Sequence, residues 1–424
     1  MDNLQSIKQW FMDQLYNASA TQQSIACVEY VAEMDLNLLS WLKGQTIYPQ
    51  CYLHFRDSPT TFATIGKVRS FLSLDLVQAF IQQTTYPLVG GVQFYGECQF
   101  ILPRLLLLQQ ENKLKIQLFI DNNQPFAQEY EACAVALKTF EKHTALLPIR
   151  QSIHFVKKWA EQAEWCDWVE KALDQIQQGR LNKIVLANET LFQSEGAIDA
   201  KDFLAESERY NVGCYHFLFA ENADRVFIGS SPERLYQRID HTLQTEALAG
   251  TALVGETKQE TQQHANWLLQ DEKNIYENQL VVEDIQQHLA PYSQQIQIAE
   301  LGLKPLRQVQ HLRRQICVQL QPEYGDSTLL AAIHPTAAVA GFRRDEALAF
   351  LRQTETFDRH WYAGTFGIMS QKWAEFCVTI RSAFIEREQI RVFAGAGIVE
   401  DSIPLLEWQE IERKALGLIS LLQE

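Results

Sequence analysis

The sequence predicts an α+β layered fold, and three observations carry that expectation. Strand-like and helix-like runs do not alternate regularly, as a doubly wound sheet would require. Short strand-like runs occur in both halves of the chain, while the clearest helical patterns are few and far apart. No internal repeat, low-complexity tract or Pro/Ser-rich linker divides the 424 residues into separate units.

In chain order, residues 1–150 carry strand-like runs at 52–56, 89–96 and 114–120, with few chemically suggestive groups. Residues 166–178 have helical periodicity and stop at Gly179, in the place of a C′ glycine. The runs 182–192, 214–220 and 225–229 read as strands. Residues 225–251 read further as two strands joined by a turn near 240–242, and a turn centred on His241 would set Glu233 opposite Ala249. A single long helix is expected over 264–290, stopped near Pro291. Strands at 376–385 and 389–395 then lead to a terminal helix that starts with Pro404 in its first turn.

Composition narrows the function. Hydrophobic residues make up 46% and charged residues 21%, as in an ordinary water-soluble globular protein. A net charge of −15 argues against sequence-independent binding to nucleic acid or an anionic membrane, but allows a small anion held by local cations. The start, MDNLQSIKQWFMDQ, lacks a basic segment followed by an apolar run, so no signal peptide is expected. The apolar stretches RLLLLQQ and LLAAIHPTAAVAG are too short to span a bilayer. The 8 cysteines are scattered without a CxxC pair, which fits free thiols in a reducing cytoplasm. There is no HExxH, no GxSxG and no Cys/His cluster, so zinc chemistry and serine or cysteine hydrolysis lack support.

Several side chains admit two readings. On the terminal helix, Leu405, Trp408, Ile411, Ala415, Ile419 and Leu422 form an apolar face, with Glu407, Glu410 and Lys414 on the adjacent stripe. That stripe reads as a surface ion pair in the favoured order, or as a carboxylate for a hard cation beside an ammonium for an anion. Glu277 shares a helix face with Lys273, Val281 and Asp284, either as a solvated face or as a second metal carboxylate. Gly395 and Gly397 lack the third glycine of a dinucleotide motif, yet leave room for backbone to approach an anion. Lys183 stands in an apolar run; at a strand's start it would be solvated, whereas burial would lower its pKa and make it a general base.

Taken together, nine ordered motifs resemble the chorismate-binding enzymes: KIVLA, SPERL, ALAGT, DEKNIYENQLVVEDI, HPTAAVAG, RHWYAGTFG, TIRSAFI, FAGAGIVEDS and EWQEIERKA. That family includes the anthranilate synthase large subunit, the aminodeoxychorismate synthase component, salicylate synthase and isochorismate synthase. The motifs cover residues 160–424, and a weaker echo in GGVQF and ILPR makes residues 1–150 the variable N-terminal part of the same fold. The resemblance implies an anthranilate-synthase-like layered β-sheet sandwich with flanking helices. It implies that Glu277 and Glu410 bind Mg²⁺ and that Gly395, Gly397 and Lys414 hold substrate carboxylates. Tyr362 and Arg381 would contact the enolpyruvyl carboxylate, with Ala249, Gly250, Thr251, His334 and Thr365 lining the pocket. Glu233 would be the general acid.

Two positions select chemistry within the family. Amine-adding members have glutamine where this chain has Lys183, and the aminodeoxychorismate type has a nucleophilic lysine where it has Ala249. The resemblance therefore implies water as nucleophile with Lys183 as base, no glutaminase partner, and an isochorismate synthase of the menaquinone-pathway type. Salicylate synthase uses the same lysine and glutamates, and a non-catalytic binding relative is a third reading. Three departures stand out: Asn274 in place of a second glutamate, Arg343 in place of proline after GF, and ENQLVVEDI in place of EHxMLVDLxRND.

Overall fold

The computed structural model describes residues 3–18 and 23–420. Among them, 20 strands join one hydrogen-bonded sheet and 11 α-helices flank it, a mixed α+β fold as the sequence predicts. Its root is the long N-terminal strand Cys98–Gln110, from which two antiparallel wings diverge. One wing runs through Thr60–Phe71, Gln50–His54, Tyr215–Ala220, Val226–Ser231, Ser382–Glu386 and Gln389–Ile398 to Lys183–Ser194. The other runs through Leu88–Val92, Thr365–Met369, Trp373–Val378, Arg234–Ile239 and Thr242–Leu253 to Val309–Leu320. The wings layer on one another: the rings of Phe217 and Phe219 on the first lie 6.4 and 6.2 Å from Phe366 on the second. Apolar rings buried between two pleated faces are the main source of cohesion in such a layer.

The chain crosses from one wing to the other twice in the region that matters. Strand Val226–Ser231 belongs to the first wing and Arg234–Ile239 to the second, so Glu233 sits in the crossing between them. Trp373–Val378 belongs to the second and Ser382–Glu386 to the first, so Arg381 sits in the return crossing. The crossings are bonded together, Val378 N–H to Glu233 O at 3.1 Å and Ser230 N–H to Arg381 O at 3.1 Å.

Four expectations are corrected. The hairpin turns on two residues, Asp240 and His241, which sets Ile239 opposite Thr242 rather than centring on His241. Pairing between these strands stops at Gln237–Gln244, beyond which Arg234 pairs with Cys377, so Glu233 and Ala249 are not opposite. The run 376–385 is not one strand; it breaks where Arg381 takes φ +50. The expected long helix is two, Lys258–Leu268 and Glu272–Leu289, because Asp271 caps the second by accepting the Asn274 N–H. Leu405 is 46% exposed and Leu418 takes a core place instead. Leu422 lies outside the described residues.

Other expectations hold. The helix Gln162–Gln177 is followed by Gly179 at φ +68. The terminal helix Pro404–Ile419 buries Trp408, Ile411, Ala415 and Ile419, and Trp408 meets Trp165 at 6.4 Å. Arg343 has φ +67, a conformation closed to the proline expected after GF. No helix among the described residues is long and apolar enough to cross a membrane.

Candidate active site

A cavity of about 130 Å³ lies against the two crossings, walled by strands of both wings and by the helices Glu272–Leu289 and Pro404–Ile419. Its lining gathers Glu233, Ala249, Gly250, Thr251, Glu277, Tyr362, Arg381, Gly395, Gly397, Glu410 and Lys414. A neighbouring space of about 470 Å³ shares Thr251, Arg381, Glu410 and Lys414 with it, which makes it the approach to the smaller cavity rather than a separate site.

Lys183 opens the strand Lys183–Ser194 and is 0% exposed, so the solvated reading fails. Its Nζ lies 3.0 Å from Glu277 Oε1, an ion pair without the alignment of a hydrogen bond, and no acceptor takes its protons. Lys183 stands just behind the cavity wall: a Cβ on Gly397 would meet its Cε at 3.1 Å and Glu277 Oε1 at 2.3 Å. On Gly395 a Cβ would meet the Tyr362 hydroxyl at 2.9 Å. Both glycines are needed for close approach, since any side chain there would displace the groups around the cavity.

Three lysine–carboxylate pairs ring this space: Lys183 with Glu277, Lys273 with Glu407 at 2.9 Å, and Lys414 with Glu410 at 2.7 Å. Lys414 also donates to Gly395 O at 2.8 Å, tying the terminal helix to its strand. Burial opposes ionisation of Glu410, but the adjacent Lys414 ammonium outweighs it and holds that carboxyl below its usual range. Glu407 goes the other way, pushed up by burial and then by the charge of Glu410. Glu233 is pushed up to about 8 by burial and then by the charge of Glu246, against the pull of Lys183, Arg56 and Lys414. At neutral pH it is therefore a carboxylic acid with a proton to give.

His334 and Thr365 do not line this cavity. The His334 ring donates from Nε2 to Gln93 O at 3.1 Å, and the Thr365 hydroxyl donates to Cys377 O at 3.0 Å. Both side chains are buried. The lining also holds residues to which the sequence reading gave no site role, among them Lys273, Glu407, Phe393 and His311. Phe393 stacks on Tyr362 at 5.1 Å. The Arg381 guanidinium donates to His311 Nε2 at 3.1 Å, so that nitrogen is unprotonated and Nδ1–H donates to the Thr251 hydroxyl at 3.0 Å. Burial and then the charge of Arg381 hold His311 neutral. Asn274 spends its side chain on the strand Thr242–Leu253 and on its own helix cap, accepting from Thr251 N–H at 3.1 Å and donating to Asp271 at 2.7 Å.

Residues 79–423 match the family described as chorismate binding enzyme. The chain belongs to that family. Among chorismate-binding enzymes it is similar to the isochorismate synthase MenF of Pasteurella multocida, at 55% identity over 100% of this chain and 99% of that one. The crystal structure of MenF, the menaquinone-specific isochorismate synthase of Escherichia coli, superposes with TM-score 0.91 at 35% identity, covering 98% of this chain and 99% of that one. Anthranilate synthase component I of Streptococcus pneumoniae has TM-score 0.61 at 20% identity over 94% of this chain and 93% of that one, a likeness of fold. The chorismate-binding match starts at residue 79, ahead of the strands Leu88–Val92 and Cys98–Gln110 that root the two wings.

Proposed function

We infer that the chain converts chorismate to isochorismate, adding water at C2 and expelling the 4-hydroxyl, and that it serves a menaquinone pathway. Full-length similarity to MenF carries this reading, and the site chemistry agrees with it. Lys183 is a buried amine just behind the cavity wall at Gly397, and Ala249, in that wall, offers no side-chain nucleophile. Lys183 in its neutral form takes a proton from the water that bonds to C2. The ring double bonds shift, the C4–O bond breaks, and the protonated Glu233 gives its proton to the departing hydroxyl, which leaves as water. Arg381, Tyr362 and Lys414 hold the two carboxylates, and Ala249, Gly250, Thr251, Gly395 and Gly397 shape the wall.

Glu277 and Glu410 fit Mg²⁺, since a hard cation commonly takes one or two carboxylates plus substrate oxygens. No group of three or more His, Cys, Asp or Glu among the described residues forms a fuller cage. When bound, the cation would neutralise the ring carboxylate and draw charge from the diene. The free cysteines suit a reducing compartment, which we take to be the cytoplasm. Residues 1–150 serve as the variable part of one catalytic fold rather than as a separate module. Water is the nucleophile, so the reading needs no glutaminase. Salicylate synthase is less well supported, because the full-length relatives carry the isochorismate synthase name.

The deciding experiment mixes purified protein, chorismate and Mg²⁺ and separates the products by HPLC. Isochorismate in equilibrium with chorismate is expected; salicylate with pyruvate, or no turnover, overturns the reading. Arg381→Ala should raise KM by roughly 10–100-fold, the worth of a hydrogen bond to a charged group. An unchanged KM would leave Arg381 a structural residue of the crossing. Glu233 must carry its proton to act, and it does so below about 8. The forward kcat/KM should therefore fall as pH rises through that value; a limb near the ordinary glutamate range would remove Glu233 from the role.

A further inference from the structure

The N-terminal part contributes one group to this site that no motif contains. Arg56 lies just beyond the strand Gln50–His54 of the first wing, and Glu246 lies in Thr242–Leu253 of the second. Their side chains are 0% and 3% exposed. Arg56 Nη1 and Nη2 donate to Glu246 Oε1 and Oε2 at 2.5 and 3.0 Å, a bidentate pair. The pair then takes hold of the backbone on both sides of Glu233: Arg56 Nη1 also donates to Pro232 O, and Glu246 Oε1 accepts from Arg234 N–H at 3.2 Å. Arg313 closes the far side, 3.3 Å from Glu246 Oε2.

We propose that the Arg56–Glu246 pair is the positioning device for Glu233, fixing the peptide units before and after it so that its carboxyl points into the cavity. The inference rests on reading Glu233 as the acid. A buried ion pair is a poor source of stability compared with apolar packing, because desolvation consumes most of the attraction, and fixing a register is its best-attested use. Here it clamps the crossing between the wings on both sides of Glu233, whose own backbone is held by the Val378 N–H and by the Ser231 hydroxyl. The pair also sets the field: Glu246 stays ionised because Arg56 outweighs the effect of burial, and its charge acts on Glu233 while Arg56 acts against it. The other charged or titratable groups facing Glu233 are Lys183, Lys414, Arg381 and Tyr362.

The test is Arg56→Met and Arg56→Lys in the full-length enzyme, with Glu233→Gln alongside. Arg56→Met should lower kcat by about 10–100-fold, the usual cost of a displaced catalytic group, with KM for chorismate within about threefold. Its alkaline limb should move, because Arg56 then neither draws Glu233 toward ionisation nor holds Glu246 ionised against burial, and Arg313 is the cation left paired with Glu246. Arg56→Lys keeps the charge but loses the fork, so it should keep the limb near the wild-type position and still lose about tenfold in kcat. Near-UV circular dichroism reports folding; if Arg56→Met does not fold, Arg56→Lys decides alone. Wild-type kcat in Arg56→Lys, or equal losses in kcat and KM with an unmoved limb in Arg56→Met, overturns the proposal. Activity retained in Glu233→Gln overturns the acid assignment instead, so the two failures are distinguishable.

Discussion

Lys183→Gln is expected to lose isochorismate formation by about 10²–10⁴-fold, the usual contribution of one general base. Glutamine fills most of the buried volume, so the strand Lys183–Ser194 should keep its register and the loss should be chemical. The variant should still bind chorismate, because Arg381, Tyr362 and Lys414 are untouched. With high ammonium it should yield some aminated product, since an amine that is already a free base needs less help than water. Lys183→Ala should lose hydration and gain nothing. Glu277 loses its ion-pair partner in both variants, and its 17% side-chain exposure lets solvent make up part of that loss. Near wild-type hydration by Lys183→Ala would make Lys183 an ordinary strand lysine. The preference for water would then rest on Ala249 and the lack of any ammonia donor.

Removing the divalent cation should have an effect at least as large. Excess EDTA is expected to abolish turnover and added Mg²⁺ to restore it, and Glu277→Ala and Glu410→Ala should each be inactive at any Mg²⁺ concentration. Both variants should fold, because Glu277 and Glu410 are partly open to the cavity at 17% and 30% and neither belongs to the apolar core. Calorimetric titration of Mg²⁺ into wild type and variants supplies a readout independent of turnover. Full activity in EDTA sinks the metal assignment. Metal-dependent activity in Glu410→Ala with wild-type affinity would shift the second ligand to another residue, and Glu407, paired with Lys273 beside it, is the nearest carboxylate of the stripe.

Much of this site was legible before any fold was known, and what escaped did so for definable reasons. Ordered motifs carried Lys183, Glu233, Glu277, Arg381, Gly395, Gly397, Glu410 and Lys414 to one cavity wall or just behind it. The hairpin register slipped by one because the turn holds two residues, and a one-residue slip moves every side chain to the other face. The break at Arg381 left no signal, since an arginine at φ +50 has none of the glycine signature that usually marks such a bend. By contrast, the split of the helix at Asp271 was readable: an acceptor side chain three residues before Asn274 is an N-cap signature. His334 and Thr365 were placed by motif membership alone, and their side chains turn to backbone carbonyls rather than to the cavity. Arg56 escaped entirely. Its partner is 190 residues away in sequence, and nothing local distinguishes it from any other arginine.

The paired crossings have a consequence for how the enzyme fails. The proposed acid and the proposed anchor ride on two adjacent rungs, each fixed at one end to the first wing and at the other to the second. Any slippage of one wing over the other is thus converted directly into a change of aim between Glu233 and Arg381, with no slack to absorb it. The wings themselves are joined by the apolar rings packed between their faces and by the N-terminal strand at their root. Heat or mild denaturant should therefore silence turnover while most of the secondary structure survives, and a ligand that spans the two rungs should act as a brace, delaying the loss.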